Sequence, residues 1–317
     1  MKKKQIIPFI ITLLFMIALL TFAILQMKQA RTISVNGYYF NTYITITAYE
    51  SNDDLALNDC LKMCEHYENL FSRTIEGSDI YRINNSNGSE VLVDEETYYL
   101  LQESIKFCEE TNGAIDITVA DIMDLWGFTD ISKPNTLPDS SKMDECLSHV
   151  DYRNLEFLGD CKVKLKDPAS HIDLGFIAKG YIADKLKDYL IERGIKKAII
   201  SLGGNIYVIG SKTDDKGFNI GIKDPAGGSE IIDKLEVKDS SVVTSGTYER
   251  YIEVNGKKYH HILDTSSGYP VDNDINGVTI ICDSSMYADA LSTTCLILGE
   301  DRSKEILQKY NAKAIFY

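Results

Sequence analysis

The sequence predicts an α+β fold in which mixed or antiparallel sheets pack against helices. Residues 42–48 alternate and are rich in β-branched side chains, which predicts a strand, whereas 55–71 and 95–111 have the spacing of amphipathic helices. The strand and helix signals do not follow the strict β-α-β alternation that predicts a doubly wound parallel sheet. Turn-forming residues divide the segments, as at 84–88 and at the hairpin-type pair Asn255-Gly256.

The remaining elements follow from the same patterns. Residues 130–142 contain two prolines and several hydroxyl side chains and predict a surface loop, and Gly194 suits the end of a helix. Further helices are predicted over 174–193, 286–298 and 302–310, and further strands over 197–202, 218–222, 251–262, 277–282 and 312–316.

The first 31 residues differ from the rest of the chain. Three lysines precede an apolar run over residues 6–25, and a helix of that length would extend about 30 Å, enough to cross a bilayer. The alternative is a cleaved signal peptide, although its apolar region is usually only about 7–15 residues long. We therefore expect residues 1–31 to form a membrane anchor or signal sequence. Residues 32–317 would be one globular domain on the extracytoplasmic side of the membrane.

The charge of this domain restricts its ligands. Beyond residue 31 there are 28 Lys and Arg against 47 Asp and Glu, a net charge of −19. Such a surface repels nucleic acid, and a phosphorylated ligand would need a local cation. The chain has seven cysteines, an odd number, with no C-x-x-C pair, so no disulfide framework is predicted.

Two segments carry residues suited to phosphate and metal chemistry. Asp173 comes just before a predicted helix and Lys179 about two turns into it, where a phosphate could meet the helix N-terminus and an ammonium group. Asp289 and Thr293 share one helix face and offer hard oxygen ligands suited to Mg²⁺. Each has a simpler alternative: Asp173 as a helix cap beside a surface lysine, and Asp289 and Thr293 as ordinary helix residues.

A third segment contains the pair His260-His261 and Asp264. His261 could accept a proton from a hydroxyl nucleophile, with Asp264 orienting its ring; the alternative is a surface histidine pair. Two glycines before Asn205 allow the backbone to approach a ligand closely or simply form a tight strand exit. Trp126, the only tryptophan, suits a core position.

Taken together, these segments resemble the ApbE family of FAD:protein FMN transferases. The matching stretches are T-S-G-T-Y-E-R at 244–250, H-H-I-L-D at 260–264, D-L-G-F-I-A-K-G at 173–180, L-G-G-N-I at 202–206, A-D-A-L-S-T at 288–293, and G-A-I-D-I-T-V with L-W-G-F between 113 and 128. Their order and spread over residues 40–300 imply an ApbE-like, T-fold-related architecture.

The resemblance also implies roles for particular residues. Mg²⁺ would be held by Asp289, Thr293 and the backbone carbonyl of Phe176, and His261 would be the catalytic base. The residues implied in FAD binding are Phe40, Asp116, Thr118, Asp173, Lys179 and His261. Phe40-Asn41-Thr42 stands where the family has M-G-T, and Phe40 is expected to pack on the flavin ring.

The implied reaction is the Mg²⁺-dependent transfer of FMN from FAD to a threonine hydroxyl of an exported partner protein, with release of AMP. The partner would carry a Ser/Thr-rich flavinylation motif. Two alternatives stay open at this point. The same site could hydrolyse FAD to FMN and AMP with water as the acceptor, or the protein could be an exported flavin-binding module without catalysis.

Overall fold

A computed structural model describes residues 12, 16–17, 31–128, 136–213, 216–224 and 230–317 of the chain. The helices are α1 (Asp54–Phe71), α2 (Asp79–Asn84), α3 (Glu95–Glu110), α4 (Ala120–Trp126), α5 (Ser140–Leu147), α6 (Ala178–Glu192), α7 (Ser285–Leu298) and α8 (Glu300–Lys309). The strands are β1 (Arg31–Tyr39), β2 (Thr42–Ser51), β3 (Val91–Leu92), β4 (Leu155–Gly159), β5 (Lys162–Leu165), β6 (Ala198–Leu202), β7 (Asn205–Ile209), β8 (Phe218–Lys223), β9 (Ile231–Val237), β10 (Ser240–Gly246), β11 (Tyr251–Val254), β12 (Lys257–His260), β13 (Gly277–Cys282) and β14 (Lys313–Phe316).

The centre of the fold is a seven-stranded sheet in the order β1-β2-β6-β7-β10-β13-β14. Every neighbouring pair in it is antiparallel. Three smaller units accompany it: a three-stranded sheet β3-β5-β4 and the hairpins β8-β9 and β11-β12. The predicted α+β class with antiparallel sheets is thus confirmed.

Helices α1, α6 and α7 pack against the central sheet, and α3 contributes further side chains to the same core. Alternation along the strands divides the side chains between two faces. Ile200 belongs to the main core beneath the helices, whereas its neighbour Ile199 packs with Phe218 and Ile220 of β8 on the other face. The hairpin β8-β9 therefore lies against the uncovered side of the sheet, where it can also border a cavity.

Five of the seven cysteines are buried. Cys60 and Cys64, one helical turn apart on α1, are fully buried in the main core, and all seven cysteines are free. The hairpin turn predicted at Asn255-Gly256 is also present, with φ of 52° and 79° at the two residues, as a turn of the primed type requires.

Three predicted boundaries are wrong. The helix expected from residue 174 begins only at Ala178, because the Asp173 carboxylate accepts the Gly175 N–H and folds the intervening segment into a turn. The turn predicted over 84–88 begins inside α2, and the loop predicted over 130–142 ends in α5, which Asp139 caps.

The predicted anchor over residues 1–31 lies almost entirely outside the described residues. Within the part of the chain that the structure describes, no helix is long and apolar enough to cross a membrane.

Candidate active site

A cavity of about 890 Å³ opens between the end of the central sheet, the start of α6 and the hairpin β8-β9. This volume falls within the range of about 300–1,000 Å³ that is typical of small-molecule and cofactor sites. Seven of the nine residues predicted for the site line it: Phe40, Asp116, Asp173, Phe176, Lys179, His261 and Thr293. The fold therefore brings together side chains that are separated by more than 250 positions in sequence.

The two remaining residues lie behind the cavity wall. Thr118 is buried, and both its backbone N–H and its hydroxyl donate to Oδ1 of Asp116, at 2.8 and 2.6 Å. Its hydroxyl also accepts the Asp151 N–H, so Thr118 supports Asp116 instead of facing the cavity. Asp289 is only 4% exposed. Its carboxylate lies next to the ammonium group of Lys179, which lines the cavity.

Asp289 lies where α7 crosses the start of α6. Its Oδ2 accepts the Gly180 N–H at 2.8 Å and lies 3.6 Å from Nζ of Lys179. Burial raises the pKa of this carboxyl group, and the charge of Lys179 and the Gly180 hydrogen bond counteract that effect. A carboxylate in this position is best stabilised by a cation.

The residues around Asp289 fit a hard divalent cation. Thr293 lies one turn further along α7, and its hydroxyl is 3.4 Å from Oγ of Ser245. In a regular helix the Gly180 N–H would donate to the carbonyl of Phe176, four residues earlier. Here it donates to Asp289 instead, so this N–H does not occupy the Phe176 carbonyl. One carboxylate, one hydroxyl and one carbonyl are oxygen donors of the kind Mg²⁺ takes alongside water and phosphate.

This donor set contains a single acidic side chain. Among the described residues, no group of three or more His, Cys, Asp or Glu side chains is placed to hold a metal ion. The candidate site therefore differs from an all-protein metal cage, and a cation here would depend on ligands from water or substrate.

Lys179 lies in the first turn of α6, not two turns in as predicted, because the helix starts later. Its Nζ is 3.3 Å from the carbonyl of Gly175 and 3.6 Å from Asp289. No side chain caps α6, whose N-cap residue is Ile177. Lys179 and the start of this helix thus form the positive part of the cavity wall.

His261 lies in the cavity wall in its neutral form. Burial, together with the positive charge of Arg250, lowers its pKa from 6.5 to about 4. Its Nδ1 is 3.1 Å from the carbonyl of Arg250, which can only accept a hydrogen bond. Nδ1 therefore carries the proton, and Nε2 keeps the lone pair needed by a general base.

The prediction that Asp264 orients His261 is wrong. The Asp264 carboxylate accepts the N–H and the hydroxyl of Ser266, at 2.8 and 2.7 Å, and so stabilises its own turn. The backbone of Arg250 takes the orienting role instead, because β11 and β12 place residues 250 and 261 opposite each other.

Arg73 is a cavity residue that the sequence analysis missed. Its Nε donates to Asp173 at 2.7 Å, and its two terminal nitrogens donate to Asp124 at 2.7 and 2.6 Å. Burial would lower the pKa of Arg73, but the two carboxylates outweigh it and raise the pKa. A single arginine after a helix carries no sequence signal, and its role follows only from the fold.

Phe40 reaches the cavity from an unusual backbone turn. Phe40 and Asn41 both have left-handed φ, 54° and 56°, which is rare for a bulky residue such as phenylalanine. The Phe40 N–H donates to Oε1 of Glu68 at 2.7 Å. Such strain persists where surrounding contacts hold it, and it is often found at ligand sites.

Comparison with known proteins identifies the family. The model of the ApbE family matches residues 40–316. An FAD:protein FMN transferase of Klebsiella pneumoniae is 34% identical over 298 residues, covering 92% of this chain and 90% of that protein. One of Treponema pallidum is 34% identical over 273 residues, covering 80% and 74%.

Solved structures give the same result. The ApbE protein of Thermotoga maritima superposes with a TM-score of 0.82 at 34% identity, covering 90% of this chain and 94% of that one. The flavin transferase ApbE of Vibrio cholerae gives 0.80 at 25% identity, covering 90% and 93%. The fold is that of a flavin-transferring enzyme. The chain belongs to the ApbE family.

Proposed function

We propose that this protein transfers FMN from FAD to a threonine hydroxyl of a partner protein in a Mg²⁺-dependent reaction that releases AMP. The observation that carries the proposal is the convergence on one cavity of a neutral imidazole, an ammonium group and a set of hard oxygen donors. His261, Lys179 and Asp289 supply these three features. A diphosphate bound in so acidic a protein needs such local positive charge.

The transfer balances as a phosphoryl substitution. The threonine oxygen forms a bond to the phosphorus of the FMN moiety, and the bond from that phosphorus to the bridging oxygen breaks, so AMP leaves with that oxygen. His261 Nε2 takes the proton of the attacking hydroxyl. Lys179 lies at the start of α6, where it can stabilise the charge that grows on the phosphate oxygens.

Asp289, Thr293 and the carbonyl of Phe176 would hold Mg²⁺. The ion, when bound, supplies charge neutralisation and polarises the phosphate oxygens. The Lys179 ammonium group lies 3.6 Å from Oδ2 of Asp289, which places a positive charge beside this carboxylate. The chemistry of these donors supports magnesium over a softer metal.

The flavin and adenine parts of FAD would lie along the remaining wall. Phe40 and Asp173 both line the cavity, where Phe40 offers an apolar ring and Asp173, held by Arg73, offers a carboxylate. Asp116 accepts hydrogen bonds from Thr118 and from the Tyr152 N–H, so its orientation is set before a ligand arrives. We propose these residues as the FAD-binding set.

The location of the reaction is also a proposal, supported by the sequence alone. The basic and apolar composition of residues 1–31 supports a single-pass anchor, with the catalytic domain on the extracytoplasmic side of the cell membrane. An exported protein with a Ser/Thr-rich acceptor motif would then be the partner. Fractionation of cells expressing the full chain, followed by protease treatment of spheroplasts, tests both statements.

The decisive experiment uses the protein, FAD, Mg²⁺ and an exported acceptor domain bearing a Ser/Thr-rich motif. We expect in-gel flavin fluorescence on the acceptor and a mass increase equal to FMN less one water, which is the mass of FAD minus AMP. One AMP should be released per transfer. The matched control is the acceptor with its threonine replaced by alanine, which should stay unlabelled. AMP release without labelling would instead identify a hydrolase, and FAD binding without AMP release a flavin carrier.

A further inference from the structure

Three hydroxyl groups lie in a row beside the candidate metal site. Ser245, near the end of β10, lies between Ser292 and Thr293 of α7. Its Oγ is 2.7 Å from Oγ of Ser292 and 3.4 Å from Oγ1 of Thr293. Ser292 in turn donates to the backbone carbonyl of Asp289 at 2.8 Å. The row therefore connects β10 to both residues of α7 whose side chains are proposed as metal ligands.

The direction of the protons along this row is fixed at one end. A carbonyl oxygen can only accept, so the single proton of Ser292 points to Asp289. The 2.7 Å contact between Ser245 and Ser292 must then use the proton of Ser245. Among the described residues, the Ser245 hydroxyl has no hydrogen-bond partner beyond Ser292 and Thr293. Ser245 therefore presents a lone pair, and not a proton, to Thr293.

Thr293 differs from its neighbour Thr294 in how its hydroxyl is used. A threonine within a helix often donates to the carbonyl three or four residues earlier. Thr294 does so, at 2.8 Å from the carbonyl of Ala290, and it is fully buried. For Thr293 the carbonyl four residues earlier is that of Asp289, which already accepts Ser292. The Thr293 hydroxyl is thus left for the cavity, whose wall this residue lines.

A hydroxyl that coordinates a cation must turn a lone pair to the ion and direct its proton elsewhere. Ser245 offers the Thr293 proton an acceptor on the β10 side of α7. Their separation of 3.4 Å is longer than the usual hydroxyl pair, about 2.5–3.0 Å, so the contact is weak as it stands. Coordination makes a hydroxyl more acidic and hence a stronger donor, which would strengthen this contact.

We propose that Ser245 is a positioning residue for the metal site: its oxygen accepts the Thr293 proton, which leaves a lone pair of Thr293 free for a divalent cation. The inference rests on the proposed Mg²⁺ dependence but concerns a residue that is not among the proposed ligands. Groups behind a metal ligand fix its orientation, and their loss usually weakens metal affinity by roughly 10–100-fold.

The test measures metal affinity directly in the full-length protein. Mn²⁺, a spin-active substitute for Mg²⁺, is titrated into protein and FAD and followed by electron paramagnetic resonance. We expect Ser245→Ala to bind Mn²⁺ roughly 10–100-fold more weakly than the native protein. Ser245→Thr keeps a hydroxyl at this position, and threonine suits a strand, so this variant should bind Mn²⁺ with close to native affinity.

A second variant reaches the same contact from its other end. Ser292→Ala removes the acceptor of the Ser245 proton, so Ser245 becomes free to donate to Thr293. The Thr293 lone pair would then be engaged, and Mn²⁺ affinity should fall although neither Ser245 nor Thr293 has changed. This variant also tests the inference should Ser245→Ala not fold.

The matched control is Thr294→Val. Thr294 is the next residue of α7, and its buried hydroxyl serves only the carbonyl of Ala290 among the described residues. This variant should melt earlier than the native protein and keep its Mn²⁺ affinity. A merely structural role for Ser245 predicts that Ser245→Ala behaves in the same way.

The outcomes separate this inference from the proposed function. Native Mn²⁺ affinity in Ser245→Ala or in Ser292→Ala would overturn the positioning role and leave the Mg²⁺-dependent reaction intact. Equal weakening in Ser245→Ala and Ser245→Thr would also overturn it, because the hydroxyl would then not be the group that matters. A native protein that binds no Mn²⁺ in the presence of FAD would overturn both. Weak binding in the two alanine variants, with Ser245→Thr and Thr294→Val near native, supports the inference.

Discussion

The backbone N–H of Gly180 donates to Oδ2 of Asp289 at 2.8 Å, across the contact between α6 and α7. Two helices can approach so closely only because one of them has no side chain there. The contact places the first turn of α6, with Lys179, beside the carboxylate of the candidate metal site. The contact that packs α6 against α7 therefore also positions the carboxylate of the candidate metal site.

Gly180→Ala tests that relationship. The new methyl group would lie 2.2 Å from the Ser285 carbonyl and 2.7 Å from Cβ of Asp289, so the helices must move apart. We expect a loss of about 1–3 kcal/mol in the free energy of unfolding, typical of overpacking, and weaker metal binding. Urea unfolding and Mn²⁺ titration measure the two effects.

Gly194→Ala provides the control for this substitution. Gly194 follows α6 with φ of 79° and has open space around its Cβ position. The change should cost about 1–2 kcal/mol through backbone strain alone and leave metal affinity at its native value. If Gly180→Ala also kept native affinity, the helix contact would not position the carboxylate.

Asp289→Asn separates the metal role from the fold. The substitution removes a buried charge whose desolvation opposes ionisation, so in EDTA the protein should be at least as stable as the native form. FMN transfer should be abolished, and Mg²⁺ should no longer raise the melting temperature. Asp188→Asn, at an exposed position of α6, should behave as the native protein. Transfer that persists in the Asp289 variant and resists chelator would contradict the assignment.

His261→Asn removes the proposed base while keeping a polar side chain. FAD affinity, measured by fluorescence titration, should stay near its native value, because binding requires no proton transfer. The rate of transfer under saturating FAD should fall roughly 10²–10⁴-fold, the usual effect of losing a general base. An unchanged rate would place the base elsewhere in the cavity.

The pH dependence of the native enzyme follows from the state of His261. A base acts in its deprotonated form, which predominates above its pKa of about 4. The rate of transfer should therefore stay level between about pH 6 and 8 with respect to this group and decrease only as the pH falls toward 4. A decrease centred near 6.5, the ordinary value for histidine, would show that the cavity does not lower the pKa of His261.

Arg73→Lys tests the clamp that the sequence analysis missed. Lysine cannot contact Asp124 and Asp173 together, because it lacks the planar fork of arginine. We expect a loss of about 1–3 kcal/mol in stability and weaker FAD binding, since Asp173 loses its restraint. Arg153→Lys is the control: its contact with Asp151 is solvent-exposed, so neither unfolding nor FAD titration should change measurably.

Most elements of the fold were predictable because their signals are local. Each of the segments 42–48, 55–71 and 277–282 has a local pattern of apolar residues, and each forms the element that its pattern predicts. The start of α6 was not predictable, because the Asp173 carboxylate turns back on Gly175 instead of capping a helix. The orientation of the Asp173 carboxylate depends on Arg73, a residue distant in sequence that binds its other oxygen.

The amino-acid sequence alone predicted the class of the fold and, through its resemblance to the ApbE family, seven residues that line the cavity. Hydrophobic period and turn chemistry are properties of neighbouring residues and need no fold to be recognised. Only the tertiary structure decided that Arg250 orients His261, that Arg73 restrains Asp173, and that the Gly180 N–H binds Asp289. Those relationships join residues on separate elements, and a hydrogen bond across such a distance exists only once packing has brought its donor and acceptor together.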